Sequence, residues 1–296
     1  MPFEPEYTLT PHIQRCLVAI DRTVGFIEAV RLSQGDALER LREECRVKEA
    51  LNSVQIEGNS LTIEQAFTLA REGGLQDELP DHDREFVNYL RAFDAVEAFK
   101  GDRTLRLGAR DLRELQRILV GGVRGGTRDA GSFRREPVMV GNVIDGETIV
   151  HHTPPQPGDV DALVRELMDW LEVAKVKDKS AGVRETWVHP AIVAAIAHQR
   201  LAWIHPFVDG NGRTCRMFAT ILLYQRGYDF KYLFEMSSYY NKRGDRTPYY
   251  RALRTADAKD EASADYTEWI SYFLGGLASQ AYEAQQRAKI VVAGVA

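Results

Sequence analysis

Cysteine is scarce in this chain: Cys16, Cys45 and Cys215 are the three among 296 residues, far apart and without a CxxC pair. That usage excludes a disulfide framework and argues against a structural zinc site, leaving ordinary buried thiols. No apolar run approaches the ~20 residues of a membrane span. The N-terminal MPFEPEYTLTPHIQ is acidic and lacks the charged-then-apolar order of a leader, so the sequence reads as cytoplasmic. Basic excess is missing too; a net charge of −5 offers nucleic acid no electrostatic footprint. No glycine-rich turn is followed by GKS or GKT, which removes a Walker loop. What is present, 44% hydrophobic and 27% charged residues, is the composition of a globular protein large enough to bury a sizeable core.

Apolar residues recur at helical spacing over 12–32, 36–56, 62–71, 83–99, 110–120, 157–175, 188–204, 211–226, 246–256 and 265–289, which predicts a mainly α protein. In 83–99, Phe86, Leu90, Phe93, Val96 and Ala98 mark the buried stripe, and Arg84, Glu85, Arg91 and Glu97 fall on other faces. One stretch breaks the pattern. EPVMVGNVIDGETIVHHT (136–153) places β-branched residues on both sides of Asp145-Gly146 and predicts a single β-hairpin. The connectors GGVRGG (121–126) and TPPQPG (153–158) flank it, as they would a movable flap. Residues 1–110 read as an N-terminal helical region and 111–290 as the core.

The densest chemistry lies in WIHPFVDGNGRTCRMFATILLYQRG (203–227). Pro206 discourages helical geometry at His205, so His205 is expected at a helix end. Gly210 and Gly212 allow close backbone approach, and a helix beginning near Asn211 aims free N–H groups at the same space, an anion cradle. Arg213 and Arg216, three apart on that helix, suit phosphate oxygens. Asp209 adds a carboxylate for a hard cation that would otherwise be held by phosphates and water. Singly, each has a plain structural explanation, and His189-Pro190 is read as such a case. Together, a base, a metal ligand, an anion hole and two clamps within twelve residues point to a Mg-nucleotide.

HPFVDGNGRTCR (205–216) resembles the motif HPFx(D/E)GNGRxxR of the Fic family at every specified position, and the resemblance runs from about residue 40 to 275. It implies the Fic fold, a helical bundle with one hairpin flap, and transfer of AMP from ATP to a Ser, Thr or Tyr hydroxyl of a target protein. His205 would be the general base, Asp209 would hold Mg²⁺ (Mn²⁺ as a substitute), and Gly210, Asn211 and Gly212 would line the anion hole. Arg213 would neutralise the departing pyrophosphate and Arg216 grip the γ-phosphate. The Doc-type kinases depart from GNGR, which is kept here.

SVQIEGNS (53–60) resembles the family's inhibitory pattern (S/T)xxxE(G/N) through Ser53, Glu57 and Gly58, at the end of an inhibitory helix over about 40–57. By that resemblance Glu57 pairs with Arg216 and occupies the γ-phosphate position; the same EGN also reads as a plain helix stop with Gly58 or Asn59 as its cap. Ile149, Val150, His151 and His152 would form the flap edge that pairs with the target's main chain. Asn241 and Tyr250, in SSYYNKRGDRTPYYRAL (237–253), would contact adenine. Many relatives continue into a winged-helix domain, and nothing after residue 290 of this sequence reads as one. Self-modification and a homodimer are family-based expectations. The alternatives are removal of AMP by the same site, a different nucleotide or phosphocholine donor, and a nucleotide-dependent binding module; direct nucleic-acid binding is not expected.

Overall fold

The computed structural model describes residues 3–29, 36–72, 79–97, 106–123, 129–144, 147–174, 188–256 and 264–293. Within them the chain forms α1 (Pro11–Ala29), α2 (Asp36–Ile56), α3 (Ile63–Glu72), α4 (Asp81–Glu97), α5 (Ala109–Val120), β1 (Val140–Ile144), β2 (Glu147–His152), α6 (Val160–Ala174), α7 (Pro190–Ile204), α8 (Asn211–Gln225), α9 (Met236–Tyr240), α10 (Thr247–Arg254) and α11 (Thr267–Val292). The mainly helical expectation and the one hairpin are both met. Asp145 and Gly146 lie outside the described residues, as do Ala98 and part of GGVRGG; Ile144 pairs with Glu147 in the antiparallel ladder.

The centre is α7 against α8. PAIVAAIAHQRLAWI is apolar on almost every face, as a helix must be when neighbours enclose it all round, and Ala191–Leu201 is buried throughout. NGRTCRMFATILLYQ is equally enclosed but carries Arg213 and Arg216 into the interior. Around this pair stand α5 on α8, α4 on α5, α6 on α7, and α11 across α7 with Trp269 Nε1 donating to Ala195 O at 2.6 Å. α1 runs along α11, and α2 packs on α4 and α9 and touches α8. The helices of 1–110 therefore share one hydrophobic core with those that follow.

Two N-termini show how the sequence fixes the central helices. His189 precedes Pro190 and caps α7: its Nδ1 accepts from Ala191 N at 3.1 Å while Nε2 lies 3.0 Å from Asp21 Oδ1 of α1. At α8, Gly210 adopts φ 79°, and a Cβ there would come within 2.5 Å of Val120 Cγ1. Cys16, Cys45 and Cys215 are free and buried, and burial pushes the Cys45 and Cys215 thiols up to about 12. No helix among the described residues is long and apolar enough to cross a membrane.

Candidate active site

His205 ends α7 at φ 50°, ψ 59°, a left-handed conformation that a non-glycine residue keeps only where its surroundings hold it. The holder is Arg134. Its Nε donates to His205 O at 2.8 Å, Nη2 to Pro155 O at 2.5 Å and to Ile204 O at 3.3 Å, and its backbone N to Pro206 O at 2.9 Å. One buried guanidinium thus satisfies the orphan carbonyls at the end of α7 and ties them to the segment leaving the hairpin. His205 Nδ1 lies 3.3 Å from Ala202 O; a carbonyl only accepts, so the proton sits on Nδ1 and Nε2 is left as the basic nitrogen. Burial is the main cause that lowers His205 to about 4, so the ring is neutral at pH 7.

Asn211 closes the loop. Its Oδ1 accepts from Phe207 N and its Nδ2 donates to Phe207 O, both at 2.9 Å, so this side chain braces the loop while only its backbone remains for an anion. Asp209 accepts Gly210 N–H through Oδ1 at 2.6 Å, lies 3.4 Å from Arg213 Nη2, and keeps a half-exposed carboxylate.

Glu57 faces the N-terminus of α8. Its Oε1 accepts from Arg216 Nη2 at 2.8 Å, and Arg216 is further fixed by Nε to Ser53 Oγ at 2.8 Å and Nη2 to Ser53 O at 2.9 Å. A Cβ at Gly212 would lie 2.1 Å from Glu57 Oε1 and 3.1 Å from Arg216 Nη1, so the carboxylate occupies the space that the missing side chain leaves. Burial works against the charged form of Glu57, yet Arg216 and then Arg213 outweigh it and hold the carboxyl below its ordinary value. Arg216 Nη1 and Arg213 Nε and Nη1 are buried without a hydrogen-bond partner among the described residues, donors suited to anionic oxygens.

Glu57, His205, Asn211, Gly212, Arg216, Tyr250, His151 and His152 line one cavity of about 620 Å³. Asp209, Gly210, Arg213, Ser53, Asn241, Ile149 and Val150 stand outside that lining. Asn241 points away from it: Nδ2 donates to Asn52 Oδ1 and Gln55 Oε1 of α2, each at 3.2 Å. Ile149 and Val150 are each 43% exposed on the hairpin, beside exposed Met139. The hairpin reaches the cavity through a bulge, where Val140 pairs with His152 but Gly141 with Val150, and His152 Nε2 donates to Trp203 O at 2.8 Å.

Two residues escaped the sequence reading. Arg134 ends GSFR (131–134), which resembles a stretch flanking the flap in the Fic family, but nothing in spacing marks it as the clamp. Glu85, expected on a polar face of 83–99, is instead buried beneath the motif, 3.6 Å from Arg213 Nη1 and accepting from Asn59 Nδ2 at 2.9 Å. The reason is tertiary: α5 and α8 pack on α4 and enclose a face wider than the apolar stripe.

A helical bundle whose two central helices meet at a histidine, an anion-ready helix start and a carboxylate plug is the architecture of one known class. The Fic/DOC family pattern matches residues 106–223. Protein adenylyltransferase Fic of Drosophila willistoni is 30% identical over 248 residues, 83% of this chain and 44% of the relative, and that of Drosophila melanogaster is similar to the same extent. A Fic family protein from Desulfovibrio desulfuricans G20 superposes with a TM-score of 0.73 at 29% identity, over 95% of this chain and 76% of that one. Fic-1 (residues 134–508) of C. elegans shares the fold at TM-score 0.68 and 20% identity, over 96% and 74%. Residues 106–223 of the chain carry a Fic/DOC family domain. It spans about 44% of the length of the curated relatives it matches.

Proposed function

We propose that this chain is a protein adenylyltransferase that moves AMP from ATP to a hydroxyl of a protein, itself included, and that Glu57 holds it inactive. The observation that carries the reading is the 2.8 Å pair between Arg216 and Glu57 at the start of α8. A carboxylate there takes a cation from the nucleotide and repels an incoming phosphate. The relatives named protein adenylyltransferase Fic support ATP as the substrate.

In the reaction the target's hydroxyl oxygen attacks the α-phosphorus, a new O–P bond forms, and the bond to the bridging oxygen breaks to release pyrophosphate. His205 Nε2 takes the hydroxyl proton, a contribution typically of ~10²–10⁴-fold. Asn211 and Gly212 offer backbone donors, Gly210 shapes the turn that presents them, and Arg213 and Arg216 meet the β- and γ-phosphates once Glu57 has moved aside. The edge of β2, 149–152, pairs with the target's main chain, and Tyr250 contacts the base. Magnesium fits Asp209: the carboxylate is half-exposed beside the anion hole, and an ion bound mainly by phosphates and water needs no protein cluster, of which the described residues hold none. When bound, the ion would neutralise phosphate charge. We place inhibition in 1–110 and catalysis in 111–290, in the cytoplasm, where three free thiols are at home.

The test is incubation with Mg²⁺ and α-labelled ATP of wild type, Glu57→Gly and Glu57→Gly/His205→Ala, reading label on the protein and in a lysate. Label only with the single variant is expected. No label with any of them, despite ATP binding, would turn the reading toward AMP removal or another donor.

A further inference from the structure

The last turn of α2, which presents Glu57, is held from the far side of the cavity. Gly58 adopts φ 95° and closes the helix, with Gly58 N bonded to Gln55 O and Asn59 N to Val54 O. That leaves the carbonyl of Ile56, one residue before Glu57, at the negative end of the helix. It accepts from Arg246 Nη1 and from Tyr250 Oη at 3.4 Å, and Arg246 Nη1 also lies 3.4 Å from Gln55 O. One turn deeper, Asn241 Nδ2 donates to Asn52 Oδ1 and Gln55 Oε1. Three side chains from 241–250 thus converge on the end of the helix over 52–56, and they touch its acceptors only.

We infer that Arg246, seconded by Tyr250 and Asn241, is a positioning residue that sets Glu57 against Arg216 by gripping the end of α2. This rests on the proposed inhibitory role of Glu57 and extends it: inhibition is set by the α2 end as a unit, with the Glu57–Arg216 pair as only its last contact. An ion pair that leaves its helix turn free to fray presents the carboxylate for a smaller fraction of the time. A cation on the terminal carbonyls suppresses that fraying.

The experiment compares wild type, Arg246→Ala, Asn52→Ala, Glu57→Gly and Arg246→Ala/Glu57→Gly. Asn52 lies on α2, outside the cavity lining, so its substitution loosens the same grip without touching the nucleotide side. Labelling with α-labelled ATP is expected to rise roughly tenfold in Arg246→Ala, the ratio that about 1.4 kcal/mol represents, and by less in Asn52→Ala. The double variant should label no more than Glu57→Gly, because both changes act through the same carboxylate. Amide hydrogen exchange, measured without nucleotide, should quicken at Glu57, Gly58 and Asn59 in Arg246→Ala and stay unchanged at Thr214. Unchanged exchange at those three amides overturns the inference. So does wild-type labelling in both Arg246→Ala and Asn52→Ala while Glu57→Gly labels strongly, or a double variant whose effects multiply. If Glu57→Gly itself fails to label, the enzymatic reading has failed, and the exchange result still decides the grip.

Discussion

At the scale of single residues, protonation separates the groups at this site. His205 is lowered to about 4 chiefly by burial, and Glu57 is held below its ordinary value by Arg216 and Arg213 against burial. An unfolded histidine takes its proton near pH ~6.5. Between there and about 4 the unfolded chain binds a proton that the folded chain refuses, so the contribution of His205 to stability is full above that window and lost as pH falls through it. The proposed catalysis follows the same sign: His205, the base we propose, is neutral throughout the neutral range. For Glu57→Gly, kcat/KM for labelling is expected to hold level from pH ~8 to ~5.5 and to decline only toward ~4, since removing the Glu57 carboxylate takes away an interaction that raised His205. A decline centred at the ordinary histidine value would mean that the imidazole is solvated, or is not the base. Mild acid should not release the wild type either, because Glu57 keeps its charge there.

At the scale of elements, the loop between α7 and α8 is the part whose shape matters most and whose own residues determine it least. Asn211 braces it from within, but the conformation of His205 depends on Arg134, seventy-one positions away in sequence. Arg134→Ala strips charged hydrogen bonds from Ile204, His205 and Pro155 and should cost roughly 2–4 kcal/mol. For a chain of this size that lowers Tm on the order of 5–10 °C, readable in a thermal melt. Arg134→Lys should recover little, because one ammonium cannot reach three carbonyls in a planar fork. If Arg134→Lys keeps full labelling in the Glu57→Gly background, the clamp does not set the loop. This contrast also marks where the sequence was legible. Helix period, the Asp145-Gly146 hairpin signal and the residues of 205–216 all depend on neighbours within a turn or two, and those were readable. Arg134, Glu85 and the turn of Asn241 toward α2 depend on which helices pack together, information that no local spacing contains.

At the scale of the whole molecule, α2, which we propose to be inhibitory, is part of the fold. α2 buries Leu38, Val47, Ala50, Leu51, Val54 and Ile56 in the common core, and its Glu49 accepts from Ser237 N at 2.6 Å, so it cannot swing away without unfolding much of the protein. Release of the proposed inhibition is then local, confined to Glu57 and the turn before it. The same architecture links inhibition to stability. Arg216 is buried, and Glu57 is its charged partner; removing one member of such a pair leaves a buried charge uncompensated, a cost of ~3–5 kcal/mol when burial is complete, reduced here because the Glu57 side chain is about one-third open to the cavity. Glu57→Gly should therefore melt below wild type. Mg-ATP should then raise its Tm more than that of wild type, because in the variant the phosphates supply the missing negative charge without first displacing a carboxylate. Ligand at a hundredfold its Kd stabilises by ~2.7 kcal/mol, enough to offset most of the loss. Differential scanning fluorimetry with and without Mg-ATP measures both steps. A variant that melts with wild type, or gains no more than wild type from nucleotide, would show that Glu57 and phosphate do not compete for Arg216.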